Sequence, residues 1–161
     1  MIAVRAEVLT GRSARTIATE DPFRARRRSP WPTYTRAMAT EALSRATLDP
    51  AERRTLARFV ELLEGGLGEG LISAWLYGSR ARGEPPHDES DVDVMLVTAF
   101  GDQDADLVDE LLWNAAELEG ANPMSFSVQV VDLDWIEDRR RIESFFIQEV
   151  DRDKLVLAGK P

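Results

Sequence analysis

The spacing of hydrophobic and polar residues changes along this chain, and the first clear pattern is helical. From Asp49 to Gly65 the apolar residues recur three and four positions apart, which is the spacing of one face of an α-helix. Asp49, Pro50 and Glu52 open this stretch with an N-cap, a proline in the first turn and a capping box. The predicted apolar face consists of Leu56, Phe59, Val60 and Leu63.

Two apolar segments after this helix predict neighbouring β-strands. Leu71–Tyr77 is a short apolar run that is rich in aromatic residues, as expected of a buried strand. Residues 90–97 form the second run, and a polar loop with two prolines separates it from the first. In this second strand the alternation places one set of apolar residues on the face opposite the acidic ones, namely Val92, Val94 and Leu96.

The second half of the chain predicts further helices and strands, which together define the fold class. Residues 104–118 have the apolar spacing of a helix, and residues 125–133 alternate as a third strand does. We expect Asp134 to cap another helix, residues 142–150 to continue helically, and residues 155–157 to form a short final strand. This order of elements predicts an α/β (α+β) fold, in which a small mixed β-sheet is flanked by helices.

The charge of the chain divides it into two parts. Residues 1–37 contain eight arginines and three acidic residues, which gives a formal charge of +5. Because the whole chain has a net charge of −9, the remaining residues carry −14. The arginine-rich part has little hydrophobic periodicity, and we expect residues 1–47 to be a basic, disordered extension and residues 48–161 to be the folded domain. Nucleic-acid binding by this arm, or a transit peptide, are the alternatives. Truncation at Met38 is then expected to leave folding and any activity intact.

Composition also argues against several classes of function. The acidic domain disfavours broad contact with a phosphate backbone, so nucleic acid is not an expected partner. Cysteine is absent, which excludes disulfides, thiolate metal sites and a cysteine nucleophile. Since no apolar run has the length of a membrane span, we expect a cytoplasmic protein without membrane contact.

Candidate chemistry is concentrated in residues 76–97. Gly78 and Ser79 follow the first predicted strand, where a tight turn offers backbone N–H groups and a hydroxyl to phosphate oxygens. Asp91 and Asp93 are separated by one residue, so an extended strand directs both carboxylates to one face of the sheet. Carboxylates placed in this way can hold Mg²⁺ together with substrate phosphates. The turn and the acid pair together indicate nucleotide chemistry.

This combination of residues resembles a known family. An apolar strand, GSRARG at residues 78–83, a short loop and SDVDVMLV at residues 90–97 are similar to the nucleotidyltransferase superfamily related to DNA polymerase beta, and most of all to its minimal branch. The resemblance implies a nucleotidyltransferase-like fold in which Asp91 and Asp93 are catalytic and bind Mg²⁺.

The resemblance also implies a site for the triphosphate. Gly78 and Ser79 would bind the β- and γ-phosphates, and Arg80 and Arg82 would add charge-assisted hydrogen bonds to them. The alternative for either arginine is a place on the solvated surface of a short helix.

The third predicted strand departs from the family pattern. Family members that catalyse transfer usually bring a third carboxylate from this strand. If the third strand continues directly into a helix that is capped by Asp134, Gln129 occupies the position of this third carboxylate. A glutamine oxygen can ligate Mg²⁺, but it cannot serve as a general base near neutral pH. Asp132 after a register slip, and Asp88 or Glu89 in the loop, are the alternative sources of a third acid.

The function implied by the resemblance is Mg²⁺-dependent transfer of a nucleoside monophosphate from a nucleoside triphosphate to a hydroxyl acceptor. Minimal members of the family often act beside a helical HEPN-domain toxin, and some add AMP to it, so a HEPN-type protein is the expected partner. A catalytically weak or inactive module that binds nucleotide or a protein is the first alternative, favoured by Gln129. An aminoglycoside-type transferase for small molecules is the second.

Overall fold

The computed structural model describes residues 34–86 and 90–159, which form six helices and one sheet. The helices are α1 (Tyr34–Arg45), α2 (Pro50–Leu67), α3 (Gly78–Ala81), α4 (Ala105–Glu119), α5 (Leu133–Arg141) and α6 (Phe145–Asp153). The strands are β1 (Leu71–Tyr77), β2 (Val92–Thr98), β3 (Phe126–Val131) and β4 (Leu155–Gly159). None of the helices in these two ranges is long and apolar enough to cross a membrane.

The four strands form one mixed sheet in the order β3-β2-β1-β4. β1 pairs antiparallel with both β2 and β4, whereas β2 and β3 run parallel. The parallel pair is joined through α4, because parallel neighbours need a crossover connection. The predicted α+β class with a small mixed sheet flanked by helices is therefore confirmed.

Both faces of the sheet are covered, and β2 contributes to each. Its residues Val92, Val94 and Leu96 belong to the larger core, together with apolar residues of α1, α2 and α4. Met95 and Val97 point to the opposite face and pack with residues of α5 and α6. A strand buried on both faces needs apolar residues at successive positions, which explains the continuous run from Val94 to Val97. The predicted orientation of Val92, Val94 and Leu96 is confirmed.

The predicted capping box at the start of α2 is present. The backbone N–H of Glu52 donates a hydrogen bond of 2.8 Å to Oδ1 of Asp49, and the backbone N–H of Asp49 donates one of 2.8 Å to Oε2 of Glu52. The helix continues through Gly65 and Gly66, where it was expected to end, as far as Leu67. A Cβ atom on Gly66 would lie 3.0 Å from Cδ1 of Leu111, so the missing side chain at Gly66 lets α2 approach α4 closely.

Helix α1 lies on the N-terminal side of the predicted domain boundary at residue 47. It lies within the segment that was expected to be a disordered extension, yet three of its residues are buried, Ala39, Ala42 and Leu43, as is Ala46 directly after it. The helix packs against β4, at one edge of the sheet. Alanine allows a helix to approach a strand closely, but it gives a weak apolar signal in the sequence. The part of the predicted extension before residue 34 lies outside the described residues.

The boundaries around α5 also differ from the sequence prediction. β3 ends at Val131 because Asp132 caps α5, where its Oδ1 accepts a hydrogen bond of 2.7 Å from the N–H of Trp135. The expected cap, Asp134, lies inside the helix. The helical stretch expected over residues 142–150 is interrupted before Phe145, where Glu143 has a positive φ of 53°.

Candidate functional site

The end of β1 and the start of β2 bring the two halves of the predicted motif together. β1 ends at Tyr77, and Gly78 turns the chain into the single turn of α3 with a φ of 75°. A Cβ atom built on Gly78 would overlap Oδ2 of Asp93 and lie 3.3 Å from its Cγ. Glycine is therefore required here for two reasons, the left-handed backbone and the adjacent carboxylate. The predicted phosphate turn and the predicted metal ligand are in direct contact.

Asp91 and Asp93 differ in environment. Asp91 is exposed just before β2, and Asp93 is half-buried within the strand. Burial raises the pKa of the Asp93 carboxyl, the charge of Asp91 raises it further, and the charge of Arg82 lowers it. The effect of Asp91 shows that the two carboxylates lie within electrostatic reach of each other. A cation between them would relieve this repulsion.

Tyr77 is a member of the site that the sequence analysis did not single out. It is the cross-strand neighbour of Asp93 in the antiparallel pairing of β1 with β2. Burial and then the charge of Asp93 raise the pKa of its hydroxyl to about 12, so the phenol stays protonated at neutral pH. Its ring meets the ring of Phe146 edge to face, with centroids 5.8 Å apart. Its position directly before Gly78 was the available sequence signal.

Arg80 is not exposed at the surface of the protein. Its side chain is buried and forms an ion pair of 3.2 Å with Oε1 of Glu52, the residue that completes the capping box of α2. The same guanidinium donates to the carbonyl of Ser90 at 3.1 Å and to that of Thr47 at 3.3 Å. Arg80 therefore ties the start of α2 to the backbone just before Asp91. These contacts use both terminal nitrogens of the guanidinium and give Arg80 a structural role, and its predicted contact with phosphate stays a prediction.

Arg82 is on the surface of the site, and its charge reaches Asp93. Its Nε lies 2.6 Å from Glu84, and its Nη1 lies 3.5 Å from Asp153 at the end of α6. The pair with Glu84 is exposed on both sides, and such ion pairs contribute little to stability, so a phosphate could replace this carboxylate at low cost. Of the two motif arginines, Arg82 is the one placed to meet a ligand.

The third strand places Ser127, and not Gln129, directly beside Asp93. In the parallel pairing of β2 with β3, Asp93 is opposite Ser127 and Met95 is opposite Gln129. The predicted face is right, because both polar residues share the face of Asp93. Gln129 itself lies two residues further along, beside Met95. The same two-residue offset separates the observed cap of α5, Asp132, from the expected cap, Asp134.

Of the three alternative sources of a third acid, the structure describes Asp132. Asp132 is engaged in capping α5, and its hydrogen bond to the N–H of Trp135 fixes its side chain. Asp88 and Glu89, like His87, lie outside the described residues. Within residues 34–86 and 90–159, no cluster of three or more acidic or histidine residues could hold a metal ion by itself.

The donor set nevertheless fits a magnesium ion that is shared with a substrate. Mg²⁺ prefers oxygen ligands and is usually held by one or two carboxylates together with substrate phosphates. Asp91 and Asp93 supply the carboxylates, and the turn at Gly78 and Ser79 lies against Asp93. Such a site is completed by its substrate.

No protein-family model and no curated protein sequence matches this chain.

Proposed function

We propose that this protein is a Mg²⁺-dependent nucleotidyltransferase. The reaction would transfer a nucleoside monophosphate from a nucleoside triphosphate to an acceptor hydroxyl. The acceptor oxygen bonds to the α-phosphorus, the bond from that phosphorus to the bridging oxygen breaks, pyrophosphate leaves, and the hydroxyl proton passes to solvent or a base. The observation that carries the proposal is the contact between the Gly78 turn and Asp93, with Asp91 within electrostatic reach.

Each residue of the site has a proposed task. Asp91 and Asp93 would hold Mg²⁺, which when bound supplies positive charge to the phosphate oxygens. Gly78 and Ser79 would bind the β- and γ-phosphates through backbone N–H groups and the hydroxyl. Arg82 would exchange Glu84 or Asp153 for a phosphate oxygen. Arg80 would act only by holding the backbone before Asp91.

A second candidate function is nucleotide binding with weak or no turnover. Its support is Ser127, which occupies the position beside Asp93 from which a third carboxylate would act. A serine hydroxyl is not a general base near neutral pH, and a missing positioned base costs about 10²–10⁴ in rate. Under either function, the proposed acceptor or partner is a helical HEPN-type protein. A small molecule of the aminoglycoside kind is the alternative acceptor.

The test is a label-transfer assay with the purified protein, Mg²⁺ and each labelled nucleoside triphosphate. Acceptors are the helical protein partner and an aminoglycoside, in separate reactions. Asp93→Asn removes the proposed metal ligand, and Asp109→Asn, on the exposed side of α4, is the matched control. Transfer that is lost in the first variant and kept in the control supports the enzyme. Mg²⁺-dependent binding without transfer supports the second candidate, and no binding of any nucleoside triphosphate contradicts both.

A further inference from the structure

Helix α6 lies beside the segment from Tyr77 to Arg82 and contacts it at two points. Near its start, Phe146 packs edge to face against Tyr77. At its end, Asp153 forms an ion pair with Arg82. Residues 146, 150 and 153 are spaced three and four apart, so they share one side of the helix. This side of α6 therefore faces the segment from Tyr77 to Arg82.

The first turn of α6 carries two exposed aromatic side chains, and one of them, Phe146, contacts Tyr77. Phe145 is 77% exposed and Phe146 is 39% exposed, although large aromatic side chains are usually well buried. The helix itself is anchored, because Ile147 and Val150 are buried in the core beneath α5 and α6. The exposed rings are thus held in place by a fixed helix.

Phe146 has a defined orientation and is linked to the site through Tyr77. Its ring is perpendicular to that of Tyr77 within 4°, at an interplanar angle of 86°. Tyr77 in turn is the cross-strand neighbour of Asp93, and side chains in such pairs have Cβ atoms about 4.5–5.5 Å apart. One aromatic contact and one strand pairing therefore connect the Phe146 ring with the Asp93 carboxylate.

We propose that Phe145 and Phe146 form the nucleobase subsite of this protein, an inference that rests on the proposed function. With the triphosphate at Gly78 and the acid pair, the base stacks on the ring of Phe146, and Phe145 covers its outer side. Tyr77 supports the Phe146 ring from below through the edge-to-face contact. Stacking on an aromatic ring tolerates any base, since every base has a π-face. The subsite therefore gives affinity for nucleosides and little choice among them.

The test compares ATP with inorganic tripolyphosphate, which has the phosphates but no base. Affinities for both ligands are measured in Mg²⁺ by calorimetry on the full chain, for the wild type, Phe145→Ser and Phe146→Leu. Phe100→Leu is the matched control, because Phe100 is 52% exposed and follows the far end of β2. We expect either site variant to weaken ATP about 5- to 100-fold, from the usual strength of base stacking, and to leave tripolyphosphate within about twofold.

The outcomes separate this inference from the proposed function. ATP affinity that is unchanged in both site variants overturns the nucleobase subsite and leaves the proposed function intact. Equal weakening of ATP and tripolyphosphate by Phe145→Ser also overturns it, since the lost contact is then not to the base. If the wild-type protein binds neither ligand, the proposed function fails and the inference fails with it.

Discussion

Gly78 and Asp93 are in contact across the first two strands, and the contact leaves no space for a side chain at Gly78. A Cβ atom there would overlap Oδ2 of Asp93, and the backbone of Gly78 has a φ of 75°. Residues 78 and 93 come from separate parts of the motif, and the pairing of Tyr77 with Asp93 in the sheet brings them together. The geometry of the acid pair therefore depends on the turn.

Gly78→Ala is expected to damage both stability and ligand binding. The left-handed backbone costs an alanine about 1–2 kcal/mol, and the new methyl group displaces the Asp93 carboxylate. Gly120→Ala is the matched control, because Gly120 has a φ of 76° and an added Cβ would meet nothing within 4 Å. Denaturation should show a similar loss for both variants. Mg²⁺-ATP affinity should fall about tenfold or more only for Gly78→Ala, and equal affinities would contradict the contact.

Asp93→Asn is expected to stabilise the metal-free protein at pH 7. Burial and the charge of Asp91 raise the pKa of Asp93, so the folded state binds its proton more tightly than the unfolded state does. The stability linked to this proton is fully present below the unfolded pKa and is lost as the pH rises through the folded pKa. Thermal melts from pH 3 to pH 7 should show a gain for Asp93→Asn that disappears at the acid end. A gain that is independent of pH would exclude this cause.

Loss of the ion-pair partner of Arg80 and loss of Arg82 itself should have different effects. Glu52→Gln keeps a side chain that can complete the capping box but leaves the buried Arg80 charge without its partner, which typically costs about 3–5 kcal/mol. Arg82→Gln removes the ion pairs of an exposed arginine, and an exposed pair is worth about 0–1 kcal/mol, so the variant should fold normally. Its Mg²⁺-ATP affinity should nevertheless fall about tenfold, as expected for a lost charge-assisted hydrogen bond. Normal affinity in Arg82→Gln would remove this residue from the triphosphate site.

A carboxylate at position 127 is expected to strengthen the acid group. Ser127 is exposed and lies directly beside Asp93, so Ser127→Asp adds a third oxygen ligand without disturbing the core. Mg²⁺ affinity should rise, and any transfer rate should rise by up to about 10²–10⁴ if a base was lacking. Gln129→Asp is the matched control, because its neighbour on β2 is Met95. A larger effect from position 129 than from position 127 would contradict the register.

Leu43→Ala tests whether α1 belongs to the folded domain. Leu43 is buried in the larger core, and truncation of a buried leucine to alanine typically costs about 2–5 kcal/mol. Ser44→Ala, at the next and exposed position, should change stability by less than about 0.5 kcal/mol. The measurement is denaturant unfolding of both variants. If the two variants unfold alike, α1 is dispensable for the domain.

Local patterns accounted for much of the fold and part of the site. The capping box of α2 and both ends of β1 match the prediction, since they depend on residues close in sequence. The shared face of Asp93 and Ser127 also follows from the twofold period of a strand. Gly78 and Asp93 were identified from the motif, and the structure brings them into direct contact.

From residue 48 onward, the sequence by itself determined the main element types, the faces of the strands and the segment that carries the candidate chemistry, because these follow from local spacing. Only the tertiary structure decided the neighbour of Asp93, the burial of Arg80, the packing of α1 on β4 and the place of Phe146 beside Tyr77. Each of these joins residues that are distant in sequence. Strand register and helix docking depend on how whole elements pack, and a shift of two residues keeps the same alternation.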